Sequence, residues 1–312
     1  MDKTLQPYLD TYMPLDNWEP KNVNELAVYW MMFYAKVRKA PSSVVRDQYT
    51  LKNHILPTFG GSSLHQLTAR RVEFWFIKTV KTSTLSTKTC NDSLGLFKKI
   101  LNDAVRWGFI SKNPIEFVRK LTLPQQDVEF WNKDEVQAFL GFWTKRKQPP
   151  KMMWAIILAL YTGMRRGEIL GLKWDAVDFD AGFITVKRIY CRESRRIHER
   201  TKSGKIRRIP INKILRAYLL RLKKMTFRSQ YVVFRFHPDS FRKIYHRMCQ
   251  QADVKMIRFH DLRHTFASNF LMSGGNIYDL QKILGHSSVQ VTERYTHFIP
   301  DFLQGKTDVL EY

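Results

Sequence analysis

The sequence predicts a mainly α protein with a small antiparallel β-sheet: an all-helical N-terminal domain followed by an α+β domain. Three observations predict it. Apolar residues recur at helical spacing through most of the 312-residue chain, and two short β-prone runs at 183–190 and 206–211 flank a basic turn. An aperiodic stretch at 119–130, containing Pro124, separates the two halves. A chain of this length can bury a core in each of two domains. The expected boundaries are a leader at 1–21, a helical domain at 22–118, a linker at 119–130, an α+β domain at 131–300 and a tail at 301–312.

The leader is polar and carries Pro7, Pro14 and Pro20, so it does not read as a signal peptide. Four helices follow. The first, at 24–39, is rich in aromatics. The second, at 43–55, opens on Ser43 as cap and stops before Pro57 and Gly60-Gly61. The third, at 68–78, opens on Thr68 and carries Val72, Trp75 and Phe76 at helical spacing. The fourth and longest, at 87–107, ends at Gly108, and Asn113-Pro114 marks a turn.

In the second half, Asn132 with Glu135 three residues on forms a variant capping box. The longest apolar run, 152–161, is far too short to span a bilayer and reads as a core helix. A Thr162-Gly163 turn leads to a helix at 164–173. The two strands come next, and the chain then returns to helices.

Charge narrows the partners. Lysine and arginine number 52 against 28 acidic residues, a formal net charge of +24, while 44% hydrophobic and 26% charged residues are ordinary for a globular protein. Residues 1–120 carry 18 basic and 10 acidic side chains and the remainder 34 and 18, so the excess is no detachable tail. Each neutralised phosphate of a nucleic acid releases counterions, so both halves are expected to meet a polyanion. Cys90, Cys191 and Cys249 are odd in number and lack metal-ligand spacing, which fits reduced thiols in the cytosol.

Four segments could carry chemistry. Arg165 shares a helical stripe with Glu168, Ile169 and Leu172, where a charge is costly unless paired or needed. It is either a structural ion pair with Glu168 or an anion-binding arginine held by it. In His260-Asp261-Leu262-Arg263-His264-Thr265, Phe259, Leu262, Phe266 and Phe270 form an apolar face, and His260, Arg263, His264 and Ala267 the adjoining stripe. An imidazole and a guanidinium one turn apart can bind a phosphate and move a proton near neutral pH. The i, i+4 spacing of His260 and His264 also imitates a zinc-hydrolase helix, but the acid is Asp261, Arg263 would sit beside the metal, and no third acidic ligand is well spaced. Gly285-His286-Ser287-Ser288 precedes Tyr295, with Ser287 placed to cap the helix leading to the tyrosine. Arg200 to Arg208 is a basic hairpin turn suited to a groove or a backbone, and it is no phosphate-binding P-loop.

Taken in order, Thr162-Gly163-Met164-Arg165-Arg166-Gly167-Glu168-Ile169, the Lys202 hairpin, His260 to Ala267, Leu284-Gly285-His286 and Tyr295 resemble the tyrosine recombinase (phage integrase) family. The catalytic resemblance covers roughly residues 126–300, and 22–118 resembles that family's core-binding domain less specifically. The resemblance implies a role for each residue. Tyr295 attacks the scissile phosphate to give a 3′-phosphotyrosyl link, and His260 assists proton transfer to and from it. Arg165 and Arg263 clamp the non-bridging oxygens, Lys202 protonates the leaving 5′-oxygen, and His286 donates a further hydrogen bond. Glu168 supports the arginines, while His264 is assigned only a structural role.

No cofactor or metal is implied, because the arginines and lysine supply the charge. The implied partner is double-stranded DNA, gripped by a C-shaped clamp, with four protomers on two sites exchanging strands through a Holliday junction. The expected biology is integration or excision of a mobile element in the cytoplasm, without a membrane, with an accessory DNA-bending or directionality protein as a further partner. Type IB topoisomerase-like relaxation and chromosome-dimer resolution are the alternatives. The short tail after Tyr295, with Phe298, Ile299, Phe302 and Leu303, is expected to pack on a neighbouring subunit.

Overall fold

The computed structural model describes residues 19–123, 129–191, 194–199, 206–234, 236 and 238–296. The chain separates into two compact units, Met1–Gln126 and Asp127–Tyr312.

The first unit is helical. Val23–Trp30 runs through a π-turn at Met31–Ala35 into Lys36–Arg38, together α1. Pro41–Thr50, a second π-turn at Leu51–Ile55 and Leu56–Phe59 form α2. Ala69–Thr82 is α3 and Thr87–Arg106 is α4. Two differences from the expected α2 both concern a proline. It starts at Pro41 rather than at a Ser43 cap, since proline suits the first turn, where its missing N–H has no partner to lose. It also runs through Pro57, because the preceding π-turn, with the Leu56 N–H bonded to Leu51 O, has already left the regular ladder. Asn22, Thr68 and Ser86 cap α1, α3 and α4 by accepting from the backbone N–H of Glu25, Arg71 and Thr89.

Trp30, Ile55, Phe59, Phe76, Phe97 and Leu101 fill this core. A buried carboxylate beside them, Asp103, accepts from Trp30 Nε1 (2.8 Å) and pairs with Lys99 and Arg106 at its rim. The beginning of the expected linker is not free. Asn91 brackets Leu121, donating to its carbonyl at 2.8 Å and accepting its N–H at 3.0 Å.

The second unit is built around Met152–Thr162 (α6), buried on all sides from Met152 to Leu160. Lys133–Thr144 (α5) precedes it and opens with the Asn132–Glu135 capping box. Arg166–Gly171 (α7) follows. Val177–Asp178 (β1), Phe183–Val186 (β2), Ile189–Cys191 (β3), Arg196–His198 (β4) and Arg207–Pro210 (β5) make two antiparallel sheets, β1-β2-β5 and β3-β4. Five helices close the unit: Lys213–Met225 (α8), Pro238–Gln251 (α9), Asp261–Met272 (α10), Ile277–Leu284 (α11) and Gln290–Glu293 (α12). The expected strand at 183–190 is therefore two. It breaks after Val186, where Arg188 turns to grip Asp175 with two hydrogen bonds (2.6 and 2.7 Å) and Glu199 with a third (2.6 Å).

A buried ionic tie joins these elements. Glu168 on α7, 2% exposed, accepts Nη1 and Nη2 of Arg207 on β5 at 2.9 and 2.7 Å, and Arg207 Nε donates to the Ile283 carbonyl of α11 at 2.7 Å. The sheet register explains why Arg207 points inward. It lies two residues before the buried Ile209 and opposite the buried Val186. Burial would raise the Glu168 pKa, but the paired Arg207, then Arg165, hold it at about 2.

This depressed value gives a sign. The carboxylate contributes stability above its unfolded value, and that contribution is lost as pH falls from about 4.5 towards 2. Glu168→Gln should lower unfolding stability at pH 7 by about 3 kcal/mol and remove this part of the acid limb, read by denaturant unfolding at pH 7 and below pH 5. Gly163, with φ +61°, ends α6, and a Cβ there would come within 2.6 Å of Leu284 Cδ2 and Phe266 Cδ1. Gly163→Ala is expected to cost about 2 kcal/mol, roughly 5 °C in Tm, measured by thermal melting.

Candidate active site

Three helix ends converge on one place. α6 stops at Gly163, and Arg165 follows in extended backbone as the cap of α7. Arg165 thus stands ahead of the helix rather than on its stripe. Its N–H donates to Glu168 Oε2 at 2.8 Å and its Nη1 to Oε1 at 3.1 Å, leaving the side chain one-third exposed. The ion pair of the first reading is present. The glutamate fixes the arginine, and the arginine still reaches solvent.

Arg263, on the first turn of α10, is 3% exposed. Its Nη1 donates to Gly163 O (2.7 Å) and its Nη2 to Leu284 O (2.8 Å), the carbonyls at the ends of α6 and α11. Carbonyl-bearing helix ends suit a cation. Burial and the nearby Arg165 pull its pKa down from the usual arginine value, and Glu168 opposes them. The expected apolar face of α10 is less clean than the spacing suggested. Leu262 is buried, but Phe259, Phe266 and Phe270 are only partly so, because Arg263 and Ala267 also face inward.

Tyr295 is 1% exposed, with its ring packed among Ala267, Leu271, Leu280 and Leu284. Its hydroxyl lies 2.6 Å from His264 Nδ1. His264, expected to be structural, is therefore the imidazole in contact with the phenol. His260 precedes α10, its ring centroid 5.7 Å from that of His264. Burial raises the Tyr295 pKa, while Arg263, Arg294 and Arg165 pull it down. The charge of Arg165 also acts on His260, Arg263 and His286, so these side chains share one electrostatic neighbourhood.

His286 follows Gly285 at the left-handed end of α11, and its Nδ1 lies 2.8 Å from Thr292 Oγ1. Burial first, then Arg263 and Arg165, lower its pKa to about 3, so it is neutral at pH 7. With Thr292 on one ring nitrogen, the other is free to face a ligand. Ser287 does not cap the approach to Tyr295 as expected. The short α12 starts after Val289 with no side-chain cap, and Tyr295 lies just past its end.

Lys202 and the tail from Phe298 to Leu303 lie outside the described residues. Arg207 and Thr292 were not among the expected site residues. Arg207 could have been found from the strand alternation that buries Ile209. Nothing local marks Thr292, which is recognisable only once His286 is beside it. Among the described residues no group of three or more His, Cys, Asp or Glu side chains could hold a metal ion. Beside the cluster opens a cleft of 760 Å³ whose lining mixes Arg165, Arg166, Arg242, Arg258 and His260 with Phe241, Met256, Ile257 and Phe259.

Comparison with known proteins gives the family. The chain is 26% identical over 306 residues to the ICEBs1 integrase of Bacillus subtilis (strain 168), covering 88% of this chain and 79% of that one. It shares its fold with the Tn1549 transposon integrase in complex with transposon right end DNA, at a TM-score of 0.76 and 21% identity over 93% of this chain and 99% of that one. A lambda integrase tetramer bound to a Holliday junction superposes with a TM-score of 0.68 and 14% identity, over 91% and 85% of the two chains. The model of the phage integrase family matches residues 129–300, more than half of the sequence and all of the described site. This chain belongs to the phage integrase family.

Proposed function

We propose that the protein is a site-specific DNA recombinase that cuts and rejoins strands through a covalent bond between Tyr295 and a backbone phosphate. The observation that carries this is the buried Tyr295 hydroxyl, held by an imidazole within the field of Arg165 and Arg263. Attack forms the bond from Oη to phosphorus, breaks the bond to the 5′-oxygen, and keeps the bond energy in the 3′-phosphotyrosyl link for religation without ATP. Arg165 and Arg263 receive the charge that builds on the non-bridging oxygens, and their anchoring to Glu168 and to two helix-end carbonyls means little reorganisation is needed.

His286 is neutral, and with Thr292 on Nδ1 it offers its Nε2 side to a phosphate oxygen. His260 also has a lowered pKa, through desolvation and then Arg263, and stands where it can exchange a proton or hydrogen bond at the phosphate. Lys202 is the acid for the departing 5′-hydroxyl. Glu168 braces the arginines without touching the substrate.

The helical unit is the second grip on duplex DNA. Along α3, Arg70, Lys78 and Lys81 are exposed beside Phe74 and Ile77, a mixture of charge and apolar surface suited to a groove wall. Four protomers acting on two sites fit the family and the lambda integrase assembly. Integration or excision of a mobile element fits the relatives better than relaxation of a single molecule. An accessory DNA-bending or directionality protein completes the proposal.

The test uses duplexes carrying sites that the protein selects from random sequence, nicked at successive positions so that cleavage is trapped. In EDTA the wild type should form a denaturation-resistant adduct, and Tyr295→Phe should form none while binding the same duplex. An adduct that survives in Tyr295→Phe puts the nucleophile elsewhere. Loss of the wild-type adduct in EDTA makes the chemistry metal-dependent.

A further inference from the structure

Resting on the phosphotyrosine reading above, we propose that His264, rather than His260, takes the proton of Tyr295 during cleavage and returns it during religation. The contact is direct, 2.6 Å from Nδ1 to the hydroxyl, and both groups are shielded from water, with Tyr295 1% and the His264 side chain 13% exposed. The opposite ring nitrogen, Nε2, faces Asp261 Oδ1 at 4.0 Å. In the tautomer this step requires, the proton sits on Nε2, on the carboxylate side, and Nδ1 is the acceptor towards the phenol. The same carboxylate is fixed by Arg258, whose Nη2 and Nε reach it at 2.8 and 2.9 Å.

Burial, then the neighbouring His260, with Arg294 and Arg263, lower the His264 pKa to about 4, and Asp261 opposes them. The ring is therefore neutral and receptive at pH 7. Ahead of attack the proton would have to move from a phenol raised above 10 to an imidazole near 4, so the transfer accompanies formation of the bond to phosphorus. The step balances. Oη bonds to phosphorus, its proton goes to Nδ1, the bond to the 5′-oxygen breaks, and that oxygen is protonated by a separate acid. The imidazolium that forms faces Asp261. Religation reverses each transfer.

Single-turnover adduct formation on the nicked, selected duplex, followed from pH 5 to pH 10, tests this. His264→Ala and His264→Asn should each slow cleavage at pH 7 by about 100-fold with duplex binding unchanged, and only the alanine variant, which leaves the buried hydroxyl without a partner, should melt lower. Asparagine can hold the hydroxyl but cannot take its proton. Both slow rates should climb with pH as the phenol ionises by itself. Replacing the bridging 5′-oxygen by sulfur, which leaves without an acid, should rescue neither variant.

Wild-type rates in His264→Asn alone would reduce His264 to positioning the phenol, and wild-type rates in both would remove it from the reaction. Rescue by sulfur would place it at the leaving group. Each of these outcomes overturns the inference while the nucleophile stands. No adduct from the wild type, or one that persists in Tyr295→Phe, brings down the underlying reading and the inference with it.

Discussion

The arrangement of the second unit depends on one buried carboxylate. Glu168 accepts hydrogen bonds from Arg207 on β5 and from both the backbone and side chain of Arg165, and Arg207 reaches on to α11. A lone carboxylate at 2% exposure would be expensive, and two lone guanidiniums more so. Together they share the desolvation cost and fix three elements whose side chains or ends bear on the site. Removing Glu168 leaves the Arg207 guanidinium uncompensated where little water reaches it, whereas removing either arginine leaves the carboxylate paired with the other.

Burial, with charges nearby, sets the state of the histidines. His260, His264 and His286 are all shifted towards the neutral form by desolvation, with nearby arginines adding to it. Neutral imidazoles offer one donor and one acceptor each, and the partner on one nitrogen decides what the other can do. Thr292 is that partner for His286, and the Tyr295 hydroxyl for His264. The arginines bring permanent charge to this neighbourhood, and the imidazoles bring hydrogen-bonding nitrogens.

Glycine contributes through close approach. Gly163 lets α6 end in left-handed backbone with its carbonyl on Arg263, and a Cβ on Gly285 would come within 2.8 Å of Arg207 Cδ. The two turns that frame the site are therefore held by Arg207 and Arg263.

Much of this was legible in the residues alone. The helices around Trp30, Val72, Phe97 and Leu158, the Asn132–Glu135 cap and the Gly163 turn follow from local periodicity and backbone preference, which act over a few neighbours and leave their mark in sequence. The Arg165–Glu168 pairing was readable for the same reason, being three residues apart. The strand break after Val186, the passage of α2 through Pro57, and the partnerships of Arg207 with Glu168, Thr292 with His286 and His264 with Tyr295 were decided only in three dimensions. Arg207 stands 39 residues from Glu168, and His264 stands 31 from Tyr295. Hydrogen bonds of that kind depend on where packing delivers each side chain, and neither hydrophobic spacing nor residue type records which of several histidines will arrive beside the phenol.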